Sequence, residues 1–298
     1  MTISRFMILF RSIVCCSLFL SAVPAAFASF TIPNTTVVEV EDSDRTYNLY
    51  IKLPNSYNQI DKLKSYPVIY MTDAVYSLQV VSGVTRLSMD RTDMQQAILV
   101  AVSGQQGRSP AASRMRDYTP SVDTNRTQAT GEAQRHMQLF ANKIIPYMNQ
   151  HYRTQPWQNT YVGHALGGLF GAYILRNKPA LFNNYVLASP PFWFDNQQLL
   201  KQFREPEFIT KSINANVFIG VGELETAENS EFGQDMVADA KSFYQLLQQK
   251  NRLTAANGSG INAKLMLMPV ANHSMAFPMS AIYGLDWLFD AKTGVSGH

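Results

Sequence analysis

The chain has 298 residues, 46% of them hydrophobic and 16% charged, and a formal net charge of +3. That balance suits one globular unit with a sizeable core, because the buried fraction of surface grows with length. With no basic run and no heptad pattern, nucleic acid and coiled-coil partners are excluded.

Residues 1–28 read as a secretory leader: Arg5 and Arg11 are followed by an apolar stretch over 13–23 and then by Ala26-Phe27-Ala28, small residues at the two positions a signal peptidase reads. The apolar stretch falls short of the ~20 residues needed to span a bilayer, so no stable membrane insertion is expected after cleavage. Export to the periplasm or the medium follows. Both cysteines, Cys15 and Cys16, lie in this leader, so residues 29–292 must form their domain by packing alone, without disulfides. Removing Arg5 and Arg11 leaves 23 basic against 22 acidic side chains, a net charge of +1.

Residues 36–41 and the alternation of Tyr47, Leu49, Ile51 and Leu53 with Asn48, Tyr50 and Lys52 predict an antiparallel hairpin with a half-buried second strand, closed by Pro54. Further on, residues 68–71, 97–102, 161–162, 185–188, 217–221 and 265–268 are short continuous apolar runs, the signature of strands buried on both faces. Helical stripes fall between them. Ala133, Met137, Phe140, Ile144 and Met148 form one, which Pro146 should kink or end. Residues 166–175, the series Met236, Ala240, Phe243, Leu247, and residues 281–289 form three more. Strands alternating with helices predict a mostly parallel sheet with helices on both faces. Two long connections, 103–130 and 189–216, read as structureless loops that begin at carboxyl ends of strands, where ligands bind in open α/β sheets. Residues 293–298 read as a tail.

Between a buried strand and an apolar helix stands Gly163-His164-Ala165-Leu166-Gly167-Gly168. A nucleophile elbow has the form Gly-x-Ser-x-Gly in this same setting, with glycines two residues either side of a strained, sharp turn. The nucleophile position holds Ala165, whose methyl group cannot attack a carbonyl. An ordinary strand-to-helix turn without catalytic history is the bland alternative. Among five histidines, only His273 follows the last predicted strand, where the base of such a triad belongs. Glu223 and Glu225 both follow the strand before it, and either can be the acid. Ser189 and Ser274 lie outside any elbow and are poor substitute nucleophiles. No cofactor is expected, and no metal: Met266 and Met268 read as strand core, and no His/Asp/Glu cluster has ligand spacing.

The chain resembles the esterase family of α/β-hydrolases that includes esterase D, feruloyl esterases and enterobactin-type siderophore esterases. The residues that carry the resemblance run from about Arg45 to Phe289. They include Leu53-Pro54, Tyr66-Pro67-Val68-Ile69-Tyr70-Met71-Thr72-Asp73, Arg114-Met115-Arg116-Asp117-Tyr118-Thr119-Pro120, Ile145-Pro146-Tyr147, the glycine elbow, Ala188-Ser189-Pro190, Gly222-Glu223-Leu224-Glu225 and His273. The departure is the alanine, since relatives of this kind have Gly-His-Ser-x-Gly-Gly. The resemblance implies an α/β-hydrolase fold. It favours Glu225 as the acid, and it draws the oxyanion hole from the main chain of Leu166 and of the turn at Asp73 and Ala74. His164 is expected to pack locally.

Arg114, Arg116 and Tyr118 on the first connection, and Phe192 and Trp193 on the second, are candidate substrate contacts, with loop ion pairs and a hydrophobic plug as the plainer alternatives. The ligand implied is a small carboxylic ester or acyl group, siderophore lactones among them. Two functions compete: an esterase scaffold disabled at residue 165, inactive or strongly impaired as written, and a natural non-catalytic relative that binds an ester-like ligand or a protein. Direct attack by water with His273 as base would keep only the residual ~10³–10⁴-fold over water that a broken triad retains.

Overall fold

The computed structural model describes residues 31–58, 62–230, 233–254 and 260–290. The expected leader, its two cysteines and the tail over 293–298 lie outside the described residues. From Ile32 onward the chain forms one compact unit.

Eight strands make one sheet: β1 (Thr35–Asp42), β2 (Arg45–Lys52), β3 (Tyr66–Met71), β4 (Ile98–Gln105), β5 (Thr154–His164), β6 (Asn184–Ala188), β7 (Ala215–Gly222) and β8 (Ile261–Met268), in the order β1-β2-β4-β3-β5-β6-β7-β8. β2 runs antiparallel to β1 and β4, and every pairing from β4 to β8 is parallel. The period-two geometry of a strand divides the core. Val68 and Tyr70 of β3 face one apolar cluster, and Ile69 and Met71 face the other. The second cluster is closed by α1 (Ala74–Asp90) and α9 (His273–Phe289) through Leu78, Val81, Phe277, Ala281 and Leu285. The first is closed by α3 (Ala133–Leu139), α4 (Ile145–His151), α5 (Leu166–Asn177) and α8 (Met236–Thr254), through Met137, Met148, Phe170 and Phe243. This is the expected α/β-hydrolase arrangement, a mostly parallel sheet with an antiparallel hairpin at its start.

At the amino ends of the last strands, three asparagines stand in register. Asn216 Nδ2 donates to Asn184 Oδ1 at 2.8 Å, and Asn262 Nδ2 donates to Asn216 Oδ1 at 3.0 Å. The amide chain ties β6, β7 and β8 at the end opposite their carboxyl termini.

Four features depart from expectation. Neither long connection is structureless: the first contains α2 (Pro110–Tyr118), and the second contains α6 (Phe194–Phe203) and α7 (Pro206–Thr210). Helix α1 has no clear apolar stripe, because Ser77, Ser82 and Thr85 share its buried face. Their burial is tolerated since the hydroxyls bond back to nearby carbonyls, as Thr85 Oγ1 does to Val81 O at 2.7 Å. Pro146 does not end its helix. A π-helical turn over Phe140–Ile144 runs directly into it, and this irregularity lets the helical path continue past the proline through α4. The last helix begins at His273, eight residues earlier than expected, and carries Pro278 within it.

His136 on α3 is buried at 2% exposure, ringed by Tyr47, Tyr118, Phe140 and Phe170 at 5.2–5.5 Å. Burial pulls its pKa down to about 4, against the opposing pull of the Asp117 carboxylate. A base whose folded pKa lies below its unfolded value contributes stability above the unfolded pKa and loses it as pH falls. Acidification from about pH 7 to pH 4 is therefore expected to cost on the order of 3 kcal/mol at this residue alone. Urea unfolding across that range measures the loss, and a His136→Leu variant should show a flatter profile.

Candidate active site

The sharpest local feature of the chain is the turn from β5 to α5. Ala165 has φ 51 and ψ −120, a conformation that is costly for a residue with a side chain and persists only when its surroundings impose it. Its N–H donates to Ala188 O at 2.9 Å. The flanking glycines make the bend possible. A Cβ at Gly163 would lie 2.3 Å from the carbonyl oxygen of Gly167, and a Cβ at Gly167 would lie 2.4 Å from Thr72 Oγ1. Because the first obstacle is backbone, Gly163→Ala is expected to cost about 2–4 kcal/mol. A drop in Tm of roughly 5–10 °C should be seen in a thermal melt.

His273 opens α9, whose N-cap Asn272 accepts the Met275 N–H at 3.1 Å. His273 Nδ1 lies 2.6 Å from Glu225 Oε2. The other oxygen of Glu225 accepts from Ser189 Oγ at 2.6 Å and from the Gly222 N–H at 2.7 Å, and the carboxylate is buried at 2% exposure. One oxygen is thus held by the fold and the other faces the imidazole. Glu223 points elsewhere: it is exposed and accepts the Val270 N–H at 3.0 Å. His164, the residue before Ala165, stacks its ring 4.6 Å from that of His273 and 5.3 Å from Phe277. Its Nε2 meets the His273 carbonyl at 3.2 Å. Burial holds the pKa of His164 down to about 3, which keeps it a neutral packing group.

The turn after β3 reaches the same place. Asp73 is left-handed, with φ 57 and ψ 49, and Ala74 starts α1. Leu166 is the first residue of α5. A cavity of about 500 Å³ borders Asp73, Ala74, Arg114, Tyr118 and His164, and continues to Val75, Tyr76, Ser103, Gln105 and Gln106. A second hollow of about 340 Å³ borders His273, Glu225, Leu224, Asn229, Ser230 and Asn272. His164 joins the two places: it borders the larger cavity and its ring packs on that of His273.

Three of the candidate substrate contacts lie elsewhere than expected. Arg116 is buried, with Nε donating to Asp117 Oδ1 at 2.7 Å and Nη1 to Gln105 Oε1 at 2.7 Å. Its donors serve the interior, so it offers nothing to a ligand. Phe192 is fully buried against Phe243 at 4.6 Å, the hydrophobic plug of the second connection rather than a wall of the cavity. Trp193 is half-buried, 6.0 Å from the Arg126 guanidinium, and borders neither hollow. Arg114 and Tyr118 do border the larger cavity. Tyr76, 43% exposed there, and Ser189, the partner of Glu225, were not anticipated. Ser189 stands directly after Ala188, whose carbonyl holds Ala165, but nothing in the sequence marks its contact with a glutamate 36 residues on.

Residues 41–263 match the family model described as "Putative esterase". Ferri-bacillibactin esterase BesA of Bacillus subtilis (strain 168) is 25% identical over 267 residues, which cover 84% of this chain and 88% of that protein. The crystal structure of the BES protein from Bacillus cereus superimposes with a TM-score of 0.73 at 25% identity, covering 88% of this chain and 97% of that one. An IroE-like serine hydrolase from Shewanella oneidensis gives a TM-score of 0.71 at 22% identity, covering 86% of this chain and 80% of that one, a likeness of fold. Sheet order, elbow and family match agree: the chain belongs to this esterase family of α/β-hydrolases.

Proposed function

We propose that this chain is an exported member of the family that binds carboxylic esters, siderophore esters among them, in an esterase site lacking its nucleophile, and that it turns them over poorly or not at all. The observation that carries the reading is the strained elbow conformation of Ala165, together with the His273 imidazole that is paired with a buried carboxylate and packs 4.6 Å from the ring of the elbow residue His164. Support for the ligand class comes from the relative of Bacillus subtilis, which is named as a ferri-bacillibactin esterase. Support for export comes from the leader-like sequence over 1–28.

In this reading His273 is the general base and Glu225 holds its imidazole. The main-chain N–H groups of Leu166 and of the Asp73–Ala74 turn form the oxyanion hole. Replacement of serine by alanine leaves all of these in place, because none depends on the side chain at residue 165. What is lost is the oxygen that would attack the ester carbonyl and carry the acyl group.

A fluorophosphonate probe, which labels an activated serine, tests the reading on the unmodified protein. No labelling is expected, while Ala165→Ser should label and should lose the label when His273 is replaced by alanine. Labelling of the unmodified chain would show another nucleophile at work and refute the proposal.

A further inference from the structure

One side chain of the first long connection ties together the two turns that would form the oxyanion hole. Arg114 projects from α2. Its Nε donates to Asp73 Oδ1 at 3.0 Å, and its Nη2 donates to Asp73 Oδ2 at 3.1 Å. The same Nη2 also donates to the main-chain carbonyl of His164 at 3.3 Å. Asp73 is the left-handed residue of the turn after β3, and His164 immediately precedes the strained Ala165. A guanidinium is a planar fork, so a bidentate bond of this kind fixes orientation as well as distance.

The base of that fork is itself fixed. On the same helix, Ser113 Oγ donates to Asp117 Oδ2 at 2.9 Å and Tyr47 Oη donates to Asp117 Oδ2 at 3.1 Å, while Arg116 bonds Asp117 and Gln105. Alternate residues of the Arg-x-Arg-Asp segment therefore divide the labour: Arg116 and Asp117 anchor α2 to β2 and β4, and Arg114 reaches out to the turns.

Charge gives the contact a second purpose. The Asp73 carboxylate lies against the elbow, 3.4 Å from where a Cβ on Gly167 would stand. Left alone, a negative charge there would oppose the negative charge that develops on an ester oxygen during attack. Burial pushes the Asp73 carboxyl up and the Arg114 guanidinium pulls it down. The bonds above engage the Nε and Nη2 donors of Arg114, so the bidentate face of its guanidinium is turned to Asp73 and the elbow.

We infer that Arg114 is a positioning residue of the oxyanion hole, which neutralises Asp73 and holds its turn against the elbow, rather than a group that grips the substrate. The inference rests on the esterase reading above.

The test has two arms. In the Ala165→Ser background, Arg114→Gln is expected to lower kcat about ten- to a hundred-fold with KM within about twofold, because a group that acts only in the transition state leaves ground-state binding alone. Arg114→Lys should fall between the two. Adding Asp73→Asn to Arg114→Gln removes the stranded carboxylate and should recover about tenfold, a non-additive result expected of a coupled pair. A raised KM at unchanged kcat, or no recovery in the double variant, would overturn the inference and leave the esterase reading standing.

The second arm needs no activity. In the unmodified chain, amide hydrogen exchange should quicken in both turns together, residues 72–76 and 163–167, when Arg114 becomes glutamine, and should leave α8 unchanged. Unaltered protection of either turn overturns the inference. If both turns loosen while Ala165→Ser proves inert, the tie stands and the esterase reading is what fails. Should Arg114→Gln fold poorly, the charge-neutral double variant carries both arms.

Discussion

Replacing Ala165 with serine is expected to raise hydrolysis of p-nitrophenyl esters by on the order of 10³–10⁶-fold over the unmodified chain, the range lost when a serine hydrolase is stripped of its nucleophile. The gain should be large because, in the proposed reading, the other parts of an esterase site remain in place around this position. The bend at residue 165 is strained, with φ 51, and the fold sustains it through two glycines and the Ala188 carbonyl. The imidazole proposed as the base is already oriented, with Nδ1 held 2.6 Å from Glu225 Oε2. Initial rates on short-chain esters, with circular dichroism to show an unchanged fold, measure it. A folded variant no faster than its parent would mean that the frame around residue 165 is not a catalytic one.

The second large effect separates two neighbouring glutamates. In the Ala165→Ser background, Glu225→Gln is expected to lower kcat by roughly 10³–10⁴-fold, whereas Glu223→Gln should change it by no more than about twofold. An amide at residue 225 would keep its oxygen toward Ser189 and Gly222, which both donate to that side. Its NH₂ would then face His273 Nδ1 and force the proton onto Nε2, the wrong tautomer for a base. Glu223 lies at the surface on the Val270 amide and has no such hold on the imidazole. Equal losses from the two substitutions would contradict the assignment of the acid.

Much of this was legible in the sequence. The apolar runs pointed to six of the eight strands, because a strand covered on both faces must be apolar throughout, and the alternation at Tyr47, Leu49 and Ile51 pointed to the opening hairpin. The elbow was legible because a strained turn demands glycine at fixed spacing, and His273 because it alone among the histidines follows the last strand. Helix α1 was hidden because its buried face is part hydroxyl: Ser77, Ser82 and Thr85 satisfy themselves on nearby carbonyls and erase the apolar stripe. Arg116 and Phe192 misled for a related reason. A charged or aromatic residue near a strand end looks like a ligand contact, and only packing reveals that Arg116 is spent on Asp117 and Gln105 and Phe192 on Phe243. The choice between Glu223 and Glu225 turns on which carboxylate the backbone folds inward, which spacing two residues apart does not encode.

The amide chain through Asn184, Asn216 and Asn262 bears on how the protein tolerates change. It clamps three strands at their far ends, about 13 Å from the carboxyl tips if one counts four steps of ~3.3 Å along β6. A slip of β7 by a single step would break both side-chain bonds and exchange the side chains that face the two apolar clusters, so the clamp works as a ratchet against misregistered assembly. Robustness and chemistry thereby sit at opposite poles of the same strands: polish or damage at the asparagine pole alters how faithfully the chain assembles, and leaves the elbow pole free to be retuned.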